Sequence, residues 1–262
     1  MLGCALFASP SSPAQQEEPS SPETQLTIAA PAELNPAITQ LARAFEQKSR
    51  QPVQVTVEHW ENRRSPTRTP VFDALFVLDT NELQRLAASG TITPNSIMEV
   101  ARDQLVICIS PLVRVEFPPR SPLLGLKEKA VSRIAIPDPR TVYGRAAKQA
   151  LKSIKVYSPV IAEKLAVGKD LSDVAQLMER GDASAALLPK SALQTYSLRG
   201  TRVIPIAQSL YPPIRMGAGV TRRSKNKQEA MQFLRFAVSP DGQEVFRQSG
   251  FSESKLAATR KR

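Results

Sequence analysis

The sequence predicts an α/β protein built on mostly parallel sheets, and three observations carry that reading. Short, continuous apolar runs recur at Asp73–Asp79, Gln104–Ile109 and Ala185–Leu188, as in strands buried on both faces. Stretches with apolar residues at helical spacing separate them, so strands alternate with helices along the chain. Residues 134–151 compress the whole pattern into one unit. A strand over Arg133–Ile136 meets a Pro-Asp-Pro turn, and a helix follows with Ala146, Ala147, Ala150 and Leu151 on one face. Pro139 disfavours helical geometry at Asp138, which sets the turn. A strand opening into a helix points unpaired N–H groups above the strand's carboxyl end, where open α/β sheets bind ligands and helix starts favour anions. An ordinary strand–helix unit with nothing bound is the plainer reading of this stretch alone.

The 262 residues can bury a sizeable core, as one large domain or as two lobes. The formal charge is +11. Residues 1–24 hold three acids and no Lys or Arg, so residues 25–262 carry 35 basic against 21 acidic residues. That balance suits anionic partners. The positive charge is scattered, apart from Arg260-Lys261-Arg262. No basic run with interleaved aromatics and no zinc-finger spacing marks a nucleic-acid module.

Leu2-Gly3-Cys4 looks like the end of a lipobox, with Cys4 as the lipid anchor, although no basic or apolar region precedes it; a chance match is the alternative. Residues 9–24 are rich in Pro, Ser, Gln and Glu and read as a disordered tether. No run reaches the roughly 18 apolar residues of a spanning helix. The body begins with a strand at Gln25–Ala29. Asn35 and Pro36 then open a helix whose apolar face is Ile38, Leu41, Ala42 and Phe45. Val53, Val55 and Val57 alternate as a strand does, and Glu58–Pro70 reads as a polar loop. Thr80 or Asn81 caps a helix that Gly90 stops. After the central unit come helices near Pro159–Leu165 and Ser172–Arg180, then the strand Ala185–Leu188. A helix at Lys190–Leu198 and strands at Arg202–Pro205 and Arg215–Val220 follow. Helices at Lys227–Val238 and from Ser239 to Gly250 close the body.

Catalytic chemistry is unsupported. The single histidine, His59, excludes a multi-histidine metal site, and Cys4 and Cys108 make no metal cluster. No nucleophile elbow, phosphate loop or dinucleotide fingerprint is present. No catalytic residue, metal or cofactor is therefore assigned, and a binding protein fits better.

Several phrases in shared order resemble the periplasmic molybdate-binding proteins of ABC transporters, a class II solute-binding family. They are Leu26–Ile38 with Ala44-Phe45-Glu46, the acid-bounded strand Asp73–Asp79, and Ile136-Pro-Asp-Pro with Gly144 and Ala147–Leu151. Met178–Ala183 and Ser239–Phe251 are the most specific. The resemblance covers Leu26–Phe251. It implies a two-lobed, type II periplasmic-binding-protein-like fold, each lobe a mostly parallel sheet flanked by helices. Residues 25–103 plus 221–251 would form lobe 1 and residues 104–220 lobe 2. Residues 252–262 would be a basic tail, and the crossings would lie near Asp103 and Val220.

The same resemblance places the ligand positions. The family's first serine falls at Glu33, beside Ala32, and its serine-rich second loop becomes a segment holding Asn62 and Arg63. Its Pro-Ala-Gly becomes Tyr143-Gly144, its valine Leu171, and its tyrosine Pro189, with Tyr143 able to reach the same space. The hydroxyl ligands are thus substituted. Glu33 would repel an oxyanion in a desolvated cleft. Arg63, Arg64, Arg140, Arg145, Lys169 and Lys190 could ring a different, larger anion, or be solvated rim charges. The resemblance implies a tethered extracytoplasmic receptor for a small anionic solute, with an ABC permease as partner. The alternative is a ligand-free scaffold lipoprotein of the envelope.

Overall fold

A computed structural model describes residues 25–57, 72–153 and 159–254. The chain first lays down β1 (Leu26–Ala30), α1 (Asn35–Ser49), β2 (Val53–Val57), β3 (Ala74–Val77), α2 (Thr80–Ala88) and β4 (Met98–Asp103). It then crosses to β5 (Leu105–Ile109), β6 (Ile134–Pro137), α3 (Val142–Ser153), α4 (Pro159–Lys164) and β7 (Leu165–Gly168). α5 (Leu171–Glu179), β8 (Ala185–Pro189), α6 (Ala192–Thr195) and β9 (Arg202–Pro205) follow. It returns through β10 (Ile214–Val220), α7 (Lys227–Ala237), α8 (Pro240–Gln248) and β11 (Ser252–Glu253).

Two sheets result, ordered β11-β4-β10-β3-β1-β2 and β7-β6-β8-β5-β9. Each contains a parallel triplet, β2-β1-β3 in one and β7-β6-β8 in the other. Antiparallel strands extend both triplets on the side where the chain crosses. Of the three predicted apolar runs, β3 and β8 belong to the triplets and β5 pairs antiparallel with β8. All residues of β3, β5 and β8 are buried, because helices or loops cover both faces.

Two predicted boundaries are corrected. The return crossing lies ahead of Ile214 rather than at Val220, because β10 pairs along its length with β3 and β4 in the first sheet. Ser252 and Glu253, expected in the tail, pair with Arg102 and Ala101 as an edge strand. Only Gln104 separates β4 in the first sheet from β5 in the second. Among the helices, α6 keeps only Ala192–Thr195 of the predicted Lys190–Leu198. α1 starts after Leu34 with no side-chain cap, so Asn35 lies inside the helix instead of capping it. Asp79 takes the capping role assigned to Thr80 or Asn81.

The first lobe's core closes on rings. Phe45 on α1 and Phe76 on β3 both meet Phe233 on α7 edge-on, at 5.2 and 6.0 Å between centroids. Beneath that core, Asp73 ties three segments together although it is 4 % exposed. One carboxylate oxygen accepts from the Thr27 N–H (2.9 Å) and hydroxyl (3.0 Å). The other accepts from the Ser224 hydroxyl (2.7 Å) and the Asn226 amide (3.3 Å). Removing one acceptor that serves several buried donors leaves each donor unsatisfied. Asp73→Ala is therefore expected to lose about 3 kcal/mol and to lower the thermal midpoint by roughly 6–12 °C. Asp73→Asn should lose less. A midpoint unchanged in Asp73→Ala would show that the network is dispensable.

Candidate functional site

The strand tips that face across the two sheets lead into α1, α2, α3, α5 and α6, and each tip is built differently. At α3, the Asp138 carboxylate accepts the Arg140 N–H at 2.8 Å and clasps the Arg140 guanidinium at 2.5–3.1 Å. This hydrogen bonding holds the Asp138 carboxyl below the usual range. The Thr141 hydroxyl donates to the Asp138 carbonyl (2.7 Å) and accepts the Gly144 N–H (3.1 Å). The Gly144 amide, one of those in the first turn of α3, is thus satisfied from within. At α5, Asp170 accepts the Asp173 N–H (2.9 Å) while Asp173 accepts the Lys169 N–H (3.1 Å), a reciprocal capping pair. At α2, Asp79 accepts the Asn81 N–H at 3.0 Å. Carboxylates or hydroxyls of the chain already occupy these three helix starts.

Ala32 and Glu33 at the tip of β1 meet Leu171 at the start of α5. With Ser191 and Tyr196 they line a gap of about 20 Å³. A single water needs about 10–15 Å³ by this measure. A second gap of about 130 Å³ runs on from Glu33 and Ser191 towards Ser249 and Phe251. The other predicted ligand positions go elsewhere. Pro189 is buried in β8 opposite Leu105. Gly144 serves close packing, because a Cβ there would lie 2.0 Å from the Asp138 carbonyl oxygen. Tyr143 is 1 % exposed, and its hydroxyl donates to Asp103 at 3.2 Å instead of reaching the gap. Asn62, Arg63 and Arg64, like His59 and Cys4, lie outside the described residues.

A larger space lies along α3, a groove of about 510 Å³. Asp79 and Asn81 form its lobe 1 wall, α3 its lobe 2 wall, and Pro212–Arg215 its end. Arg145, Lys148, Lys152 and Arg215 stand around it, against one carboxylate, Asp79. Arg145 approaches Asp79 across the lobes at 3.7 Å, with both side chains partly exposed. An exposed pair of that kind contributes little.

A model of the bacterial extracellular solute-binding protein family matches residues 26–252. The chain belongs to that family. It is 22 % identical over 247 residues to Bacillus subtilis YvgL, named as an ABC transporter substrate-binding lipoprotein, covering 91 % of this chain and 90 % of that one. Two solved structures share the fold. The substrate-binding domain named for a molybdenum ABC transporter of Clostridium difficile superposes with a TM-score of 0.74 at 19 % identity, over 88 % of this chain and 99 % of that one. The Azotobacter vinelandii periplasmic molybdate-binding protein gives 0.70 at 18 %, over 88 % and 100 %.

In this solute-binding protein the residues that sequence reasoning missed cluster at the first crossing. Asp103, the last residue of β4, is 2 % exposed. Its carboxylate accepts from the Gln104 N–H (2.8 Å), the Ser191 N–H (3.4 Å), the Ser191 hydroxyl (2.5 Å) and Tyr143. Burial pushes its carboxyl up to about 6 despite those donors. Burial, then the nearby Asp103 and Glu33 charges, raise Tyr143 well above its ordinary value. Burial followed by Asp170 and Glu33 does the same for Tyr196, though less. The Glu33 and Asp170 charges thus act on tyrosines beside the smaller gap, while four basic residues line the α3 groove. Burial pushes the Cys108 thiol up to about 12, which leaves it unreactive. Among the described residues no His/Cys/Asp/Glu group could hold a metal, and no helix is long and apolar enough to cross a membrane.

Proposed function

We propose that this chain is the envelope-tethered receptor of an ABC importer, binding rather than catalysing. Its solute would be an anion larger than a bare tetrahedral oxyanion, held between the lobes against α3. The observation that carries this reading is the contrast between the gap at Glu33 and the groove along α3. The gap at Ala32, Glu33 and Leu171 measures about 20 Å³ beside a carboxylate. The groove along α3 measures about 510 Å³, within the range of small-molecule sites, and is rimmed by four cations. The lipoprotein name of YvgL supports the Cys4 anchor, and its transporter name supports a permease partner. The names of the two molybdenum-related structures support an anion.

Thermal denaturation in the presence of molybdate, tungstate, sulfate, phosphate, citrate or succinate tests this. A true solute at about 100 times its Kd stabilises by about 2.7 kcal/mol, a midpoint rise of roughly 5–10 °C. We expect a multiply charged organic anion such as citrate to produce the rise, and Lys148→Glu with Arg215→Glu to abolish it. A rise with molybdate that survives both substitutions would return the site to the smaller gap. A flat response to all six favours the ligand-free scaffold, which the commitment of the Tyr143 and Ser191 hydroxyls to Asp103 supports.

A further inference from the structure

The cluster at the first crossing offers more than architecture. Asp103 ends the strand of the first sheet that precedes the first crossing, yet its donors come from the crossing itself, from α3 and from the segment ahead of α6. A lobe 1 carboxylate therefore organises two lobe 2 segments. Ser191 is gripped from behind as well. Gly250, at φ 88° after α8, packs so closely that a Cβ there would lie 2.9 Å from the Ser191 Cα. Ser191 also lines both gaps beside Glu33. Whatever loosens its attachment to Asp103 reshapes the space between the lobes.

Every donor to Asp103 is neutral, and no lysine or arginine forms an ion pair with it among the described residues. The titratable groups facing it are Tyr143 on α3 and Tyr211 on the return crossing. The Tyr211 hydroxyl accepts the Leu105 N–H at 2.9 Å. Glu33, ahead of α1, acts on Tyr143 from the cleft side. Both tyrosines are raised, so they remain neutral while Asp103 titrates. A buried carboxylate with only hydroxyl and amide partners is stabilised by water whenever water can reach it.

We propose that Asp103 is a proton-linked positioning residue of the inter-lobe cleft. Neutral, it keeps Ser191 and Tyr143 packed at the crossing; ionised, it favours opening of that joint to water. The sign follows from linkage. A carboxyl with a higher pKa in the packed joint than in the hydrated one binds its proton more tightly when packed, so acid closes the joint and neutral pH loosens it. Burial as the leading cause of the raised Asp103 value supports this direction. The proposal rests on the crossing alone and is independent of which solute the protein carries.

The test uses the solute-free full chain. The Asp103 carboxyl carbon is titrated by NMR, and the protection factor of the Ser191 amide is measured by hydrogen exchange from pH 4.5 to 8. We expect Asp103 to titrate near pH 6. Ser191 protection should be greater on the acid side, by up to about a hundredfold if opening hydrates the carboxylate fully. Ser191→Ala removes the strongest of the hydrogen bonds that favour the ionised form, so it should move the titration upward, and Tyr143→Phe should move it upward by less. Asp103→Asn should abolish the pH step in Ser191 protection. Titration of Asp103 in the ordinary aspartate range, or equal Ser191 protection on both sides of pH 6, would overturn the proposal. The two conservative variants keep the test decisive if Asp103→Asn fails to fold.

Discussion

Gly144→Ala is expected to unfold this protein at a midpoint roughly 6–12 °C below that of the parent chain, a loss of about 3 kcal/mol. The added Cβ would lie 2.0 Å from the Asp138 carbonyl oxygen and 2.4 Å from that of Pro137. Both obstacles are backbone atoms at the end of β6 and in the turn that follows, so no side chain can swing aside. Either α3 lifts from the sheet or the strand end shifts, and each movement draws Tyr143 away from Asp103. Gly90 supplies the comparison. It sits at φ 78° with open space around it, so Gly90→Ala meets only backbone strain, about 1 kcal/mol. If Gly144→Ala kept the parental midpoint and changed only the response to anions, Gly144 would be a ligand contact after all.

How far the sequence could be read depends on whether a signal is local. Apolar runs such as Leu105–Ile109 are strands in any environment that buries both faces, and they were legible. β4 was not. Its residues Met98–Asp103 lack a regular alternation of buried and exposed positions, because the pairing with β10 shifts register around Val100, and Arg102 and Glu99 come within 2.7 Å of each other. Gln243 of α8 covers the strand by donating to the Val100 carbonyl at 2.8 Å. β7 follows α4 with no breaker between them, and its Val167 is exposed at a sheet edge. The site divides in the same way. Ala32, Glu33 and Leu171 were placed by the family resemblance, and each lies just after a strand tip, at one gap. Asp103 and Ser191 are 88 positions apart, and their contact exists only through the crossing. An acid at the junction of two strands, followed directly by an apolar run, was the available signal. The destination of Tyr143 was misread for the same reason, since its partner could not be placed.

The charge on Asp103 should also shape stability against pH, in a direction opposite to that of most carboxylates. Burial raises its carboxyl from 3.8 in an unhindered chain to about 6 in the fold. The contribution is therefore fully present below about pH 4, is lost as pH rises through about 6, and stays absent above that. The difference between the two values corresponds to about 3 kcal/mol. Asp103→Asn carries no titrating group, so the stability difference between it and the parent should swing by about that amount between pH 4 and pH 7.5, in favour of the variant at the higher pH. Comparing the two proteins at each pH cancels every other titrating group. Urea denaturation across that window measures the swing, and parallel stability profiles would show that Asp103 is ionised without penalty. A joint that carries an unneutralised charge is weaker at neutral pH than its packing allows. For the receptor proposed above, the crossing between the lobes is the place where such weakness would permit motion without unfolding either core.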